Sequence, residues 1–102
     1  MYRARDQLEN EAWLAELDAA AERLDLGARP RSIATDLFLA DVPEKNRSKR
    51  AALAASLYAG ALIAGEERPQ TRVADAMGVS RLTVQQHWRD RIEQAGLEAP
   101  NW

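Results

Sequence analysis

The chain has 102 residues, no cysteine, one histidine and a net charge of −2. That length fits one domain with a modest core, and the composition excludes a disulfide frame, a thiolate zinc site and a multi-histidine metal centre, so no metal or cofactor is expected. The opening MYRARDQLEN is charged from residue 3 and does not resemble a signal peptide, which makes a cytoplasmic protein the expectation. Charge is unevenly divided, with a net −5 over residues 1–44 and a net +3 over residues 45–102. One end is therefore expected to face a polyanion. Twelve arginines against two lysines either favour bidentate contacts to phosphate or guanine, or reflect genomic base composition.

A first amphipathic helix is predicted from about Asp6 to Leu24, where Trp13, Leu17, Ala20, Ala21 and Leu24 recur at helical spacing and acids fill the other faces. Gly27 is expected to supply the left-handed residue that stops it near Leu26. A second, shorter helix is predicted to follow Pro30, with Ile33, Ala34, Leu37, Phe38 and Ala40 facing inward, and Val42-Pro43 closing it. The polar link PEKNR leads into the most informative stretch, RSKRAALAASLYAGALIAG, from Arg47 to Gly65. Between Ala51 and Ala64 only Ser56 and Tyr58 carry polar side-chain atoms. A helix apolar on every face must be surrounded, so this one, about 25 Å long and too short to span a bilayer, is expected to be the buried hub. Ser48 is expected to cap its start and Gly65 to end it.

After the turn EERP, the segment QTRVADAMGVSRLTVQQHWRDRIEQAG holds two more helices. Thr71 is expected to cap a short one ending near Met77. Gly78 takes a positive-φ turn position, and Ser80 caps a longer helix that runs to Gly96. Val73, Ala74, Met77, Val79, Val84 and Trp88 are the apolar positions that a helix-turn-helix needs inside. On the opposite side of the last helix Arg81, Gln85, Gln86 and Arg89 form an outer face suited to base edges and phosphates. Arg72 and Arg68, on the preceding helix and turn, are expected to position the DNA backbone. A solvated face of an all-helical protein is the alternative reading of the same residues. His87 has no partner that would make it catalytic, so it is expected to be half-buried or to face phosphate. Trp13 and Trp88 are expected in the core. Trp102 is expected to dock on the domain or on a partner, and Arg3 and Arg5 to belong to a frayed end or a basic arm.

From Asn10 to Leu97 the chain resembles one cyclin-like repeat of the transcription factor IIB family, the archaeal transcription factor B group in particular. The resemblance lies in NEAWLAELDAAAERLDLG, in the Ala-rich hub with its Leu-Tyr, and in RPQTRVADAMGVSRLTVQQHWRDRIEQAGL. It implies an all-α, five-helix cyclin-like domain over residues 10–97, with a helix-turn-helix at 70–96 and tails at 1–9 and 98–102. By position it places Ser80, Arg81, Leu82, Gln85, Gln86 and Arg89 in the region that, in the family, meets promoter DNA beside the TATA element. Full-length members carry a zinc ribbon and two repeats. With no cysteine and one repeat, this chain is expected to lack ribbon-based polymerase recruitment and to grip DNA more weakly unless a second copy, as in a homodimer, supplies the missing half. The implied function is a non-enzymatic DNA-binding transcription regulator or accessory factor, with double-stranded promoter DNA and the TATA-binding protein as partners. The alternative is an interaction module that docks a transcription protein or its own twin, which the acidic first helix favours. No glycine-rich phosphate loop, metal cluster or nucleophile motif points to an enzyme.

Overall fold

The computed structural model describes residues 10–97, so the expectations for Arg3, Arg5 and Trp102, and the part of the first helix before Asn10, lie outside the described residues. Within them the chain is all-α, with no strand: α1 (Glu11–Arg23), α2 (Ala28–Ala40), α3 (Asn46–Ile63), α4 (Gln70–Met77) and α5 (Arg81–Gln94). The hub, α3, packs most extensively against α2 and α5 and also touches α1 and α4. Every residue from Ala52 to Ala61 is buried, as a helix without a polar face requires. The hydroxyl of Ser56, at its centre, has no hydrogen-bond partner among the described residues.

Small residues set how closely the helices approach. At Gly60 an added Cβ would lie 2.8 Å from both the Ala34 nitrogen and the Pro30 carbonyl oxygen, so α2 rests directly on the hub backbone. Between α3 and α5, Tyr58 and Trp88 meet edge to face at 5.6 Å. Trp88 is buried, while Trp13 is only half-buried against the core, with the Arg50 guanidinium 5.4 Å above its ring. No described helix is long and apolar enough to cross a membrane.

Several predicted boundaries shift. The left-handed residue after α1 is Asp25 (φ 56°), not Gly27, which is extended and stands at the N-cap of α2. Asp visits this conformation more readily than most residues because its short polar side chain can hydrogen-bond locally, and the chain closes there with Leu26 N–H donating to Ala21 C=O at 3.0 Å. α2 starts before Pro30, which sits buried in the first turn, where its missing N–H costs nothing. Ser48 and Thr71 lie inside the first turns of α3 and α4, because the carbonyls of Lys45 and Pro69 already accept the first helical bonds.

The last carbonyls of a helix have no partner within it; arginines from elsewhere in the chain bond such carbonyls at α2 and α4, and carbonyls just past the ends of α1 and α3. Arg23 donates to Ala76 C=O at 3.0 Å, Arg50 to Met77 C=O at 3.2 Å and Arg29 to Ala64 C=O at 3.4 Å. Arg31 donates to Leu26 C=O, just past α1, and pairs with Glu22 at 3.0 Å. Arg91, only 4% exposed, donates to the carbonyls of Leu37, Phe38 and Asp41 at 3.0, 3.0 and 2.7 Å. A planar cation with five N–H groups suits this task, and it lies at the negative end of each helix dipole. Much of the arginine bias is thus spent on the fold, not held out for a polyanion.

Candidate nucleic-acid interface

The turn between α4 and α5 is three residues, Gly78, Val79 and Ser80. Gly78 adopts φ 71° and ψ 34°, where a side chain would be strained, and two bonds close the helix end: Gly78 N–H to Asp75 C=O and Val79 N–H to Ala74 C=O. Ser80 is extended, and its hydroxyl accepts from Thr83 N–H at 3.1 Å, so the predicted cap is present. α5 is then held by one stripe, Val84, Trp88, Arg91 and Ile92, all buried.

Fixing that stripe turns the opposite side outward. Arg81, Leu82, Gln85, Gln86 and Arg89 are all exposed, Leu82 to 54%. Arg89 lies over the Trp88 ring at 4.8 Å. Arg81 donates to Gln70 Oε1 at 3.2 Å, and Gln70 Nε2 donates to Gln85 Oε1 at 2.6 Å, so the two side chains are linked through the first residue of α4. Arg72 is exposed on α4. Ser80 is exposed as well, with its hydroxyl also shared with Thr83 Oγ1 at 2.9 Å.

Arg68 does not belong with these residues. Its Nε donates to Leu24 C=O at 2.8 Å and its Nη2 to Asp25 C=O at 3.0 Å, while Nη1 reaches Glu66 and Glu67 C=O at 2.9 and 3.2 Å. The guanidinium is taken up by carbonyls at the end of α1 and in its own loop, so the phosphate contact expected of it would compete with four bonds inside the fold. His87 is exposed, beside Pro43, Ser48 and Asp90, and is not half-buried. Arg47, which sequence spacing does not single out, is exposed in the first turn of α3 and borders a depression with Arg50, Gly78, Ser80 and Thr83. Its position beside the turn depends on tertiary packing, which linear spacing does not reveal. Among the described residues no group of His, Cys, Asp and Glu could hold a metal ion.

No protein-family model matches the chain. A 54-residue stretch is 33% identical to the transcription initiation factor IIB of Pyrococcus horikoshii, and equally to that of Pyrococcus abyssi, covering 53% of this chain and 18% of either protein. A 47-residue stretch is 36% identical to transcription initiation factor IIB 2 of Thermococcus kodakarensis, covering 46% of this chain and 15% of that protein. The similarity thus spans less than a fifth of the length of these relatives.

Proposed function

We propose that this chain is a non-enzymatic, DNA-binding transcription protein related to archaeal transcription initiation factor IIB. In this reading residues 10–97 form a single cyclin-like repeat, and α4, the Gly78–Ser80 turn and α5 form a helix-turn-helix whose second helix enters the major groove of promoter-type duplex DNA. One observation carries it: the buried stripe of α5 leaves Arg81, Leu82, Gln85, Gln86 and Arg89 facing solvent, from the turn to past the middle of the helix. Arg and Gln can bond base edges and phosphates, and Leu can meet a thymine methyl. Arg72 on α4 contacts the phosphate backbone. The positive N-terminal end of α5 favours a phosphate nearby. The partial likeness to three archaeal factors supports a role in transcription. In this setting the TATA-binding protein and a second copy of the chain are the protein partners.

Anisotropy of a labelled duplex, titrated at several salt concentrations, tests the reading. Affinity should fall with salt in proportion to the phosphates neutralised, and replacing a phosphate-bonded arginine should reduce the slope by about one. Arg81→Ala and Arg89→Ala should each weaken binding. No binding at low salt, or affinities unchanged by both substitutions, would overturn the proposal.

A second reading, a protein-docking module, is favoured by the acidic outer side of α1, where Glu11, Asp18 and Glu22 are exposed. Light scattering and a pull-down with nuclease treatment separate the two, because a docking module captures protein whether or not nucleic acid is present.

A further inference from the structure

The link between α4 and α5 runs in one direction. Arginine only donates, so the contact from Arg81 Nη1 fixes Oε1 of Gln70 on that side. The Gln70 amide is thereby oriented: its NH2 must point the other way, at Gln85, and there it meets Oε1 at 2.6 Å. Gln85 in turn is held with its acceptor turned to α4 and its NH2 edge left for a ligand. Gln70 is half-buried, and both Arg81 and Gln85 are exposed.

We infer that Gln70 is a positioning residue that makes the tip of α5 a head of hydrogen-bond donors, selecting guanine over adenine at the base facing Gln85. This inference rests on the DNA-binding reading above. A glutamine recognises adenine by donating to N7 while accepting from the N6 amino group. With its oxygen turned to Gln70, Gln85 presents its NH2 edge outward, as Arg81 presents its donors. The matching base edge is one of acceptors, and guanine N7 and O6 provide it in the major groove.

Replacement of Gln70 by Glu reverses the relay without removing it. A carboxylate accepts from Arg81 with one oxygen and from the Gln85 NH2 with the other, which turns Gln85 Oε1 outward. The base preference then moves to adenine or cytosine, whose amino groups donate. The substitution suits the start of α4, where an acid is favoured by the helix dipole.

The test is selection of bound sequences from random duplexes by the wild type, Gln70→Glu and Gln70→Ala. We expect guanine enriched by the wild type at one position, a shift to adenine or cytosine with Gln70→Glu, and loss of guanine-over-adenine discrimination with Gln70→Ala, each change on the order of tenfold. A clear preference left unmoved by both substitutions overturns the role of Gln70 while DNA binding stands. If the wild type binds no duplex, the DNA reading itself fails and the inference goes with it. A DNA-free measurement guards the relay: the side-chain NH2 resonances of Gln70 should shift in Gln85→Ala, and unshifted resonances would refute it.

Discussion

Replacing Arg68 by Ala separates a structural from a nucleic-acid role at one position. The side chain makes four hydrogen bonds to carbonyls, at 2.8 to 3.2 Å, two at the end of α1 and two in its own loop. Bonds from a charged donor contribute roughly 1.5–3 kcal/mol each where the acceptor is shielded from water, and much less where water can replace the donor. The carbonyls of Leu24 and Glu66 are in partly buried contacts, and those of Asp25 and Glu67 in exposed ones. Counting only the first two, at the low end because they are not fully dry, gives a loss of about 2–3 kcal/mol. For a domain of this size that corresponds to a fall in Tm of roughly 10–20 °C. Urea denaturation followed by circular dichroism, with duplex titrations in parallel on protein kept well below its Tm, reads both properties. We expect lower stability and an unchanged salt slope. Wild-type stability together with a slope reduced by about one would refute the structural assignment and restore a phosphate contact.

Two further substitutions probe how the helices are held. Gly60→Ala gains up to about 1 kcal/mol of helix propensity, but its Cβ meets two backbone atoms at 2.8 Å. A net loss of about 1–2 kcal/mol is therefore expected from a chemical denaturation midpoint. Ser80→Ala removes the side-chain cap of α5 and should cost about 1 kcal/mol in the same assay.

The hub was legible because an uninterrupted apolar run admits one solution, burial on every side, and Ala52 to Ala61 obey it. The Gly78 and Ser80 positions were equally readable, since a left-handed residue followed by a capping hydroxyl is a local requirement that the structure meets at both residues. The roles of Arg31, Arg50 and Arg68 were not, because a long side chain can reach carbonyls that no period in the sequence relates to it. Arg91 differs from these. It falls in helical phase with Val84, Trp88 and Ile92, and a charge on an otherwise apolar stripe was the available signal that it would be buried with backbone partners. Glycine is the commoner left-handed residue, so the sequence points to Gly27, although aspartate can adopt the same backbone and Asp25 does.

The arginine ties at the helix ends bear on how far any piece of this protein can be transplanted. Arg23 and Ala76 are 53 residues apart, Arg68 and Leu24 are 44, and Arg91 and Leu37 are 54. A fragment cut out to carry only α4 and α5 would leave behind the donors that satisfy Ala76 and Met77, and would strand the cationic group of Arg91 without the carbonyls around which it is built. The smallest portable unit is therefore the whole described body, and a graft that borrows its last two helices must import substitutes for guanidinium groups contributed by the first and third.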